Sequence, residues 1–433
     1  MKKFIPLLAI SALLSITFIS CNKKVSSEKY KNSTISDYDA VTPSTEEFIE
    51  PAPVPAPMVV ASPTIKRLTM PIPATPRDGG HGDIQSGILT AGDIDDNLNL
   101  SYFQGYVNRV LQSNRENIFP FMNTKGRVKI TILGKDGKGM NRIKVKVGDF
   151  ESYTNSQGVL YLFPSIDNIS DKTEITINNR SEPIDISSKK EFTIKFNKNS
   201  TLPKTLDLMF VIDSTGSMGD EIQYLTKEFD AIVSNIENKN PNVDIRFGLV
   251  LYRDKGDDYV VRNFSFTSNA KKMKNQLSKQ NANGGGDYPE AMEKGLAKAL
   301  NASWKAEDGT RILFLVADAP PHDKNLKEML PLIKKARAKG IRVYPIGASG
   351  VAEKAEYMMR HIALFTQGRY LWLTDDSGVG NGHAEPKVKC YQVTRLDQLI
   401  SRVIESELSG RRVEPKQENI IRTVGSYANG VCQ

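Results

Sequence analysis

Residues 205–409 alternate between short, continuously apolar stretches and longer segments of helical periodicity. The stretches 206–212, 245–251 and 311–317 are apolar at nearly every position. A strand of this kind is buried on both faces, as happens in parallel sheets that have helices packed against both sides. The alternation therefore predicts an α/β domain with a doubly wound, mostly parallel sheet over residues 205–409.

Oxygen-bearing side chains follow the predicted strands at the edge where doubly wound sheets bind their ligands. One acidic and two hydroxyl residues follow the first strand, a second acidic residue follows the strand 311–317, and a third lies in a glycine-rich segment. Such hard oxygen ligands suit Mg²⁺, although the hydroxyl residues alone would serve equally well as helix caps. Together they predict a divalent-cation site formed by Asp213, Thr215, Ser217 and Asp318, with the glycine-rich segment 283–290 approaching the same edge.

This set of residues resembles the metal-ion-dependent adhesion site of the von Willebrand factor type A family, which uses Asp-x-Ser-x-Ser, a loop Thr and a later Asp. Thr215 replaces the first Ser of that pattern, and Tyr288 falls at the loop Thr, so that Asp287 is the expected substitute. The resemblance implies a bound Mg²⁺, with Mn²⁺ or Ca²⁺ as alternatives. It also implies that an acidic side chain of a partner protein completes the metal coordination.

The sequence carries no familiar catalytic motif. A Gly-x-Ser-x-Gly elbow, a His-Glu-x-x-His helix and a phosphate-binding loop are all absent. We therefore expect a binding or complex-assembly module and not an enzyme. A scaffold with a purely structural metal stays open as the alternative, and metal-assisted hydrolysis ranks third.

The charge distribution does not indicate nucleic-acid binding. The 58 Lys and Arg residues are interspersed with 50 Asp and Glu residues, which is typical of a solvated surface. No zinc-finger spacing or arginine-rich block accompanies them. We therefore expect no nucleic-acid partner.

The amino terminus has the features of an export signal. An apolar run over residues 4–19 is shorter than a membrane span and ends at Ser20-Cys21, which resembles the lipobox of bacterial lipoproteins. Phe18 departs from the usual aliphatic residue of that motif. The resemblance implies a signal peptide over residues 1–20 and lipidation of Cys21, which would anchor the protein to a membrane of the bacterial cell envelope, the outer membrane by preference. A plain secretory peptide or an uncleaved anchor stays open.

Two segments of different composition follow. Residues 21–88 are rich in Ser, Thr and Pro and include the run Pro51-Ala-Pro-Val-Pro-Ala-Pro57, so we predict a disordered tether. Residues 89–125 combine an acidic turn with apolar residues at helical spacing, which predicts a capped helix.

Residues 126–198 change to a period of two, with turn signals between short strands, and predict a small β-sandwich. The turn at 154–158 and the strand after it resemble carboxypeptidase-regulatory-like or collagen-adhesin B-type modules.

Two cysteines remain after Cys21 is set aside. Cys390 lies near the end of the predicted α/β domain and Cys432 lies in a tail over residues 410–433. In an oxidising compartment they could form a disulfide, and the alternative is two separate thiols.

Overall fold

The computed structural model describes residues 88–113, 119–120, 122–305, 309–378 and 382–433. The predicted signal peptide, the lipidation site Cys21 and the tether through residue 87 lie outside the described residues. None of the helices in the described ranges is both long enough and apolar enough to cross a membrane.

The strands and helices of the described residues are numbered here in chain order. The strands are β1 (Thr90–Ile94), β2 (Val128–Leu133), β3 (Lys144–Val147), β4 (Phe150–Tyr153), β5 (Val159–Leu162), β6 (Lys172–Ile177), β7 (Arg180–Asp185), β8 (Glu191–Lys195), β9 (Thr205–Asp213), β10 (Asp244–Tyr252), β11 (Val261–Thr267), β12 (Thr310–Ala317), β13 (Ile341–Gly347), β14 (Tyr370–Thr374), β15 (Tyr391–Arg395), β16 (Arg422–Val424), β17 (Tyr427–Ala428) and β18 (Val431–Cys432). The helices are α1 (Leu100–Ser113), α2 (Pro164–Asp167), α3 (Gly219–Lys239), α4 (Ala270–Leu277), α5 (Met292–Leu300), α6 (Leu326–Ala338), α7 (Glu353–Phe365) and α8 (Leu396–Ser409).

The largest sheet has nine strands in the order β11-β10-β9-β12-β13-β14-β1-β15-β16. Five neighbouring strands, β10, β9, β12, β13 and β14, run parallel to one another. Antiparallel strands lie on both sides of them, β11 next to β10 and β1 next to β14. The predicted α/β fold with a largely parallel sheet is therefore confirmed.

Both faces of this sheet are buried, which explains the continuous apolar runs. Successive residues of β9 point to opposite faces: Met209 and Val211 pack under α5, α6 and α7, whereas Phe210 and Ile212 pack under α3, α4 and α8. Because each strand needs apolar residues on both sides, the sequence loses the alternation seen in half-exposed strands.

The sheet extends beyond the predicted limits of 205–409 at two places. Strand β1, from the segment 89–125, is inserted between β14 and β15, and β16, from the tail 410–433, pairs with β15. The prediction treated both segments as separate from the domain. They carry too few apolar residues in a row to indicate strands, and their partners lie far away in sequence.

Ion pairs of Asp93 hold the inserted strand β1 in the sheet. Its carboxylate is buried and pairs with Arg369 at 3.3 Å and with Arg402 at 3.1 Å. Although burial opposes ionisation, the guanidinium groups of Arg402, Arg369 and Arg412 lower the pKa of Asp93 to about 2. A charged residue in the middle of a central strand is therefore tolerated because it is fully paired.

Residues 126–198 form the predicted two-sheet structure. One sheet has the order β5-β2-β8 and the other β4-β3-β6-β7. The alternating apolar residues, such as Val128, Ile130 and Ile132 of β2, face a shared core between the two sheets.

The sandwich packs against α6 through a buried ion pair. Arg337 Nη2 donates to Asp167 Oδ2 at 2.8 Å, and the Ser152 hydroxyl donates to the main-chain oxygen of Arg337 at 2.8 Å. Arg337 lies in the last turn of α6, only a few residues before β13 begins at Ile341. The sandwich therefore contacts the sheet at the amino ends of its parallel strands, which leaves the carboxyl ends uncovered by this domain.

A disulfide joins Cys390 and Cys432, whose Cα atoms lie 5.3 Å apart. Asn99, just before α1, holds the same part of the tail, since its Nδ2 donates to Gly430 O at 2.7 Å and its Oδ1 accepts from Cys432 N at 2.8 Å. The tail is thus attached both covalently and by hydrogen bonds.

Candidate functional site

The candidate site lies at the carboxyl ends of β9 and β12. These strands are parallel neighbours, with Ile212 opposite Val316. Asp213 is the last residue of β9, and Asp318 directly follows β12. The sheet therefore places the two carboxylates on adjacent strand ends, as the sequence predicts.

The turn after β9 donates hydrogen bonds to one oxygen of Asp213. Asp213 Oδ1 accepts from Thr215 N at 3.0 Å and from Thr215 Oγ1 at 2.7 Å. Asp213 Oδ2 is buried and receives no hydrogen bond from this turn, and the hydroxyl of the buried Tyr252 lies beside this carboxylate. On the other side of the site, the hydroxyl of the exposed Ser217 lies beside the carboxylate of Asp318, whose Oδ1 is buried and has no hydrogen-bond partner among the described residues.

Two further buried carboxylates lie around this pair. Glu290 precedes α5, and its N–H donates to Pro320 O at 2.9 Å, which holds it against the loop that carries Asp318. Glu221, in the first turn of α3, accepts from the main-chain N–H of Ser349 at 3.2 Å. Glu221 and Glu290 are 2% and 4% exposed, and within the described part of the chain one oxygen of each has no hydrogen-bond partner.

The electrostatics of the site favour a bound positive charge. Burial, with the nearby carboxylate of Asp318, raises the pKa of Asp213 to about 7. Burial, with Asp213 as the strongest neighbouring charge, raises the pKa of Glu290 to about 9, and burial also raises the pKa of Asp318. Unpaired buried carboxylates are costly, and a cation relieves that cost directly.

The residues therefore fit a divalent cation, provided that hydroxyl groups share in its coordination. In the described part of the chain, no three His, Cys, Asp or Glu side chains are grouped so as to hold a metal ion by themselves. Thr215 and Ser217 supply the additional oxygens beside Asp213 and Asp318. Carboxylate and hydroxyl oxygens of this kind suit Mg²⁺.

The glycine-rich segment approaches the site closely, although Asp287 stays at its rim. Gly216 N donates to Gly284 O at 3.1 Å, and Gly285 N donates to Asp257 Oδ2 at 2.9 Å. Asp287 is exposed and lines the cavity over the site, whereas Glu290, three residues later, is buried. The sequence analysis missed Glu290, and the available signal was an acidic residue just before the helix that follows the glycines.

A cavity of about 550 Å³ opens above these groups. It is lined by Thr215, Gly216, Ser217, Gly284, Gly285, Gly286, Asp287, Tyr288, Glu290, Asp318, Ala319, Ser349, Gly350 and Gly382. Four of the five residues predicted for the cation site therefore line one opening, and the fifth, Asp213, is deeply buried beneath the other residues of the site.

Arg253, at the end of β10, holds two loops of the site together. Its Nε donates to Ser214 O at 3.1 Å, and its Nη2 donates to Asn281 O at 2.8 Å. Next to it, Asp254 Oδ1 lies 2.8 Å from Nε2 of His322. These contacts fix the loops through the main chain and through a side-chain pair outside the cavity lining.

Comparison with known proteins identifies the α/β region. Residues 207–378 match the family model described as the von Willebrand factor A domain. Alpha-protein kinase vwkA of Dictyostelium discoideum is 25% identical over 214 residues, which cover 48% of this chain and 34% of that protein. The chain thus spans about a third of the length of this curated relative.

Two solved structures show a weak likeness. The pilus adhesin SpaC of Lactobacillus rhamnosus GG has 12% identity and a TM-score of 0.31, over 46% of this chain and 30% of that one. The conserved hypothetical protein BatB of Bacteroides thetaiotaomicron has 14% identity and a TM-score of 0.34, over 47% of this chain and 98% of that one.

Proposed function

We propose that the von Willebrand factor A domain over residues 207–378 is a protein-binding module whose binding depends on a divalent cation. The observation that carries this proposal is the pair of buried carboxylates of Asp213 and Asp318, whose pKa values burial raises and which lie beside the hydroxyl groups of Thr215 and Ser217. Such an arrangement is unfavourable without a cation and favourable with one.

Asp213, Thr215, Ser217 and Asp318 would hold the cation, with Asp287 reaching it from the rim. Mg²⁺ is the first choice because it takes few protein ligands and keeps several waters, and Mn²⁺ or Ca²⁺ are the alternatives. When bound, the cation would offer an exchangeable position to an oxygen of the partner, which we propose to be an acidic side chain. The cavity above the site leaves room for that side chain.

Cation binding is tested by removing metal ions from the protein with a chelator, removing the chelator, and titrating the metal-free protein calorimetrically with Mg²⁺, Mn²⁺ and Ca²⁺. We expect Asp213→Ala and Ser217→Ala to abolish or greatly weaken it. Glu237→Ala is the matched control, because Glu237 is an exposed carboxylate on α3 that does not line the cavity. Cation affinity that is equal in all four proteins would rule out the proposed ligands.

Partner binding is tested by capture from bacterial membranes with Mg²⁺ or with EDTA. A partner should be retained only with Mg²⁺, and Asp213→Ala should lose it. Retention that is indifferent to both treatments would contradict a cation-dependent interface.

A structural metal is the second candidate function, in which the domain is a scaffold for an envelope complex. Glu290 and Glu221 favour it, because their carboxyl groups, ionised by a bound cation, would add to the charge of Asp213 and Asp318 and leave less need for a partner's carboxylate. Under this alternative, EDTA should lower the melting temperature and leave partner choice unchanged. Metal-assisted hydrolysis would instead require turnover that Asp318→Ala removes.

We also propose that lipidated Cys21 anchors the protein at the bacterial cell envelope, with the outer membrane as the preferred location. The lipobox-like ending of the apolar run supports this. Cys21→Ser should abolish the incorporation of labelled palmitate and move the protein from the membrane to the soluble fraction. Palmitate labelling that survives this substitution would refute Cys21 as the site.

A further inference from the structure

Two glycines that line the cavity, Gly286 and Gly382, have no neighbour among the described residues that requires a glycine. A Cβ atom placed on Gly286 or Gly382 meets no atom within 4 Å, and neither residue has the left-handed backbone that favours glycine. Gly284 differs, because its φ is +81° and a Cβ there would lie 2.4 Å from the carboxylate of Asp257. The described residues therefore explain Gly284 and do not explain Gly286 and Gly382.

A glycine without an internal role weakens a fold, since it increases the conformational freedom of the unfolded chain. What glycine offers in return is an exposed main chain that another molecule can approach closely. The bare main chain at Gly286 and Gly382 faces the same cavity as Glu290 and Asp318. Those two carboxylates are 4% and 5% exposed, and each carries an oxygen without a partner. The glycines thus border a site whose buried carboxylates independently indicate a bound ligand.

Tyr288 adds a fixed aromatic surface next to Gly286. Its side chain is 42% exposed, yet its hydroxyl donates to Asp318 O at 3.0 Å and accepts from Ala352 N at 2.7 Å. Because these bonds already immobilise the ring, contact with a partner costs little further side-chain entropy.

We propose that the partner presents an extended peptide segment, whose main chain passes over Gly286 and Gly382 while a neighbouring side chain packs on Tyr288. This inference rests on the proposed function, since an acidic side chain of the same segment would reach the cation. An extended segment fits better than a helix, because its main-chain N–H and C=O groups are free to hydrogen-bond with an exposed main chain, whereas a helix has already paired its own.

The test uses defined synthetic probes and the full mature chain with glycine-selective ¹⁵N labelling. The first probe is a capped peptide, acetyl-Gly-Phe-Asp-Gly-Gly-amide, and the second is a helical peptide with one exposed Asp. Acetate is the third and represents a carboxylate without a main chain. In Mg²⁺, the extended peptide should shift the amide signals of Gly286 and Gly382 and should bind more tightly than acetate or the helical peptide. EDTA should remove these shifts.

Gly286→Ala and Gly382→Ala are the decisive variants. Both should fold with an unchanged or slightly higher melting temperature, bind Mg²⁺ as the wild type does, and bind the extended peptide about tenfold more weakly. Gly105→Ala is the matched control, because Gly105 lies on α1 with one side-chain atom within reach and does not line the cavity. It should leave peptide affinity unchanged.

Tyr288 is tested by a pair of substitutions. Tyr288→Phe keeps the ring and should retain part of the peptide affinity, whereas Tyr288→Ala should lose most of it. Equal effects of the two would mean that the hydroxyl and not the ring is important, which contradicts the proposed packing.

The outcomes separate this inference from the proposed function. If the wild type fails to bind Mg²⁺, Mn²⁺ or Ca²⁺, the proposed function fails. If it binds a cation, three results would each overturn the extended-segment inference: no peptide binding, acetate as effective as the peptide, or Gly286→Ala without effect on peptide affinity.

Discussion

The buried carboxyl group of Asp213 makes the stability of the cation-free protein depend on pH. Burial and the nearby Asp318 raise its pKa from 3.8 to about 7 in the folded chain. Between these values, the folded chain keeps a proton that the unfolded chain has released, so the free energy of unfolding falls as pH rises. Below about pH 4 Asp213 is protonated in both the folded and the unfolded chain and does not change the free energy of unfolding. Above about pH 7 it is ionised in both, and its full destabilisation of the folded chain applies.

The size of this effect follows from the displacement of the pKa. Each tenfold change in the acid constant corresponds to about 1.4 kcal/mol, so the full penalty is about 4 kcal/mol. About 2 to 3 kcal/mol of it develops between about pH 5 and about pH 8. For a domain of about 200 residues, the melting temperature should therefore drop by about 5 to 10 °C.

Scanning calorimetry of the wild type and of Asp213→Asn, each in EDTA and in saturating Mg²⁺, measures this contribution. The wild type in EDTA should melt lower at the higher pH, and Mg²⁺ should restore most of the loss by binding the ionised carboxylate. Asp213→Asn, which has no proton to lose at this position, should show a flatter pH dependence in EDTA and little response to Mg²⁺. An equal slope in the two proteins would refute the assignment of this penalty to Asp213.

Three further changes have definite expected outcomes. Arg337→Ala leaves the buried carboxylate of Asp167 without its guanidinium partner and should lower the free energy of unfolding, measured in urea, by about 3 to 5 kcal/mol. A loss of less than about 1 kcal/mol would mean that other contacts hold the sandwich. Cys432→Ser breaks the disulfide and should cost about 2 to 4 kcal/mol by the same assay, and the reduced wild type should match it. Glu290→Gln should weaken Mg²⁺ binding more than Asp287→Asn, because Glu290 is buried next to Asp213 and Asp287 is exposed; the reverse order in calorimetric titration would favour the rim residue.

The central strands were predictable because their signal is local. Strand β9 is buried at every position except its first residue, and β12 at every position except its second, so each carries a run of apolar residues that only a doubly covered sheet requires. Asp213 and Asp318 were predictable for the same reason, since a residue at the end of a recognised parallel strand has a known place on the sheet.

Strand β1 was not predictable, because its stability comes from residues distant in sequence. Thr90 pairs with Thr374 and with Arg395, and its neighbour Asp93 is neutralised by arginines of later elements. Gly92 is necessary there because a Cβ would lie 2.7 Å from the ring of Trp372. A stretch that contains a glycine and a carboxylate resembles a turn when only local sequence is considered, and only the tertiary partners make it a strand.

Glu290 was missed for a different reason, which also bears on how the site works. The family pattern aligns its loop Thr with Tyr288 and so directs attention to Asp287. In the structure α5 begins only at Met292, and the buried Glu290 lies next to Gly285 of the glycine-rich segment. A threonine at such a position would contribute a neutral oxygen, whereas Glu290 contributes a carboxyl group close to Asp213 and Asp318 that would lose its proton when a cation binds. More negative charge in the protein favours tighter cation binding and reduces the attraction that remains for a partner's carboxylate. A partner that also contacts the exposed main chain of Gly286 would depend less on that attraction, so the additional carboxylate and the bare glycines are physically consistent parts of one binding surface.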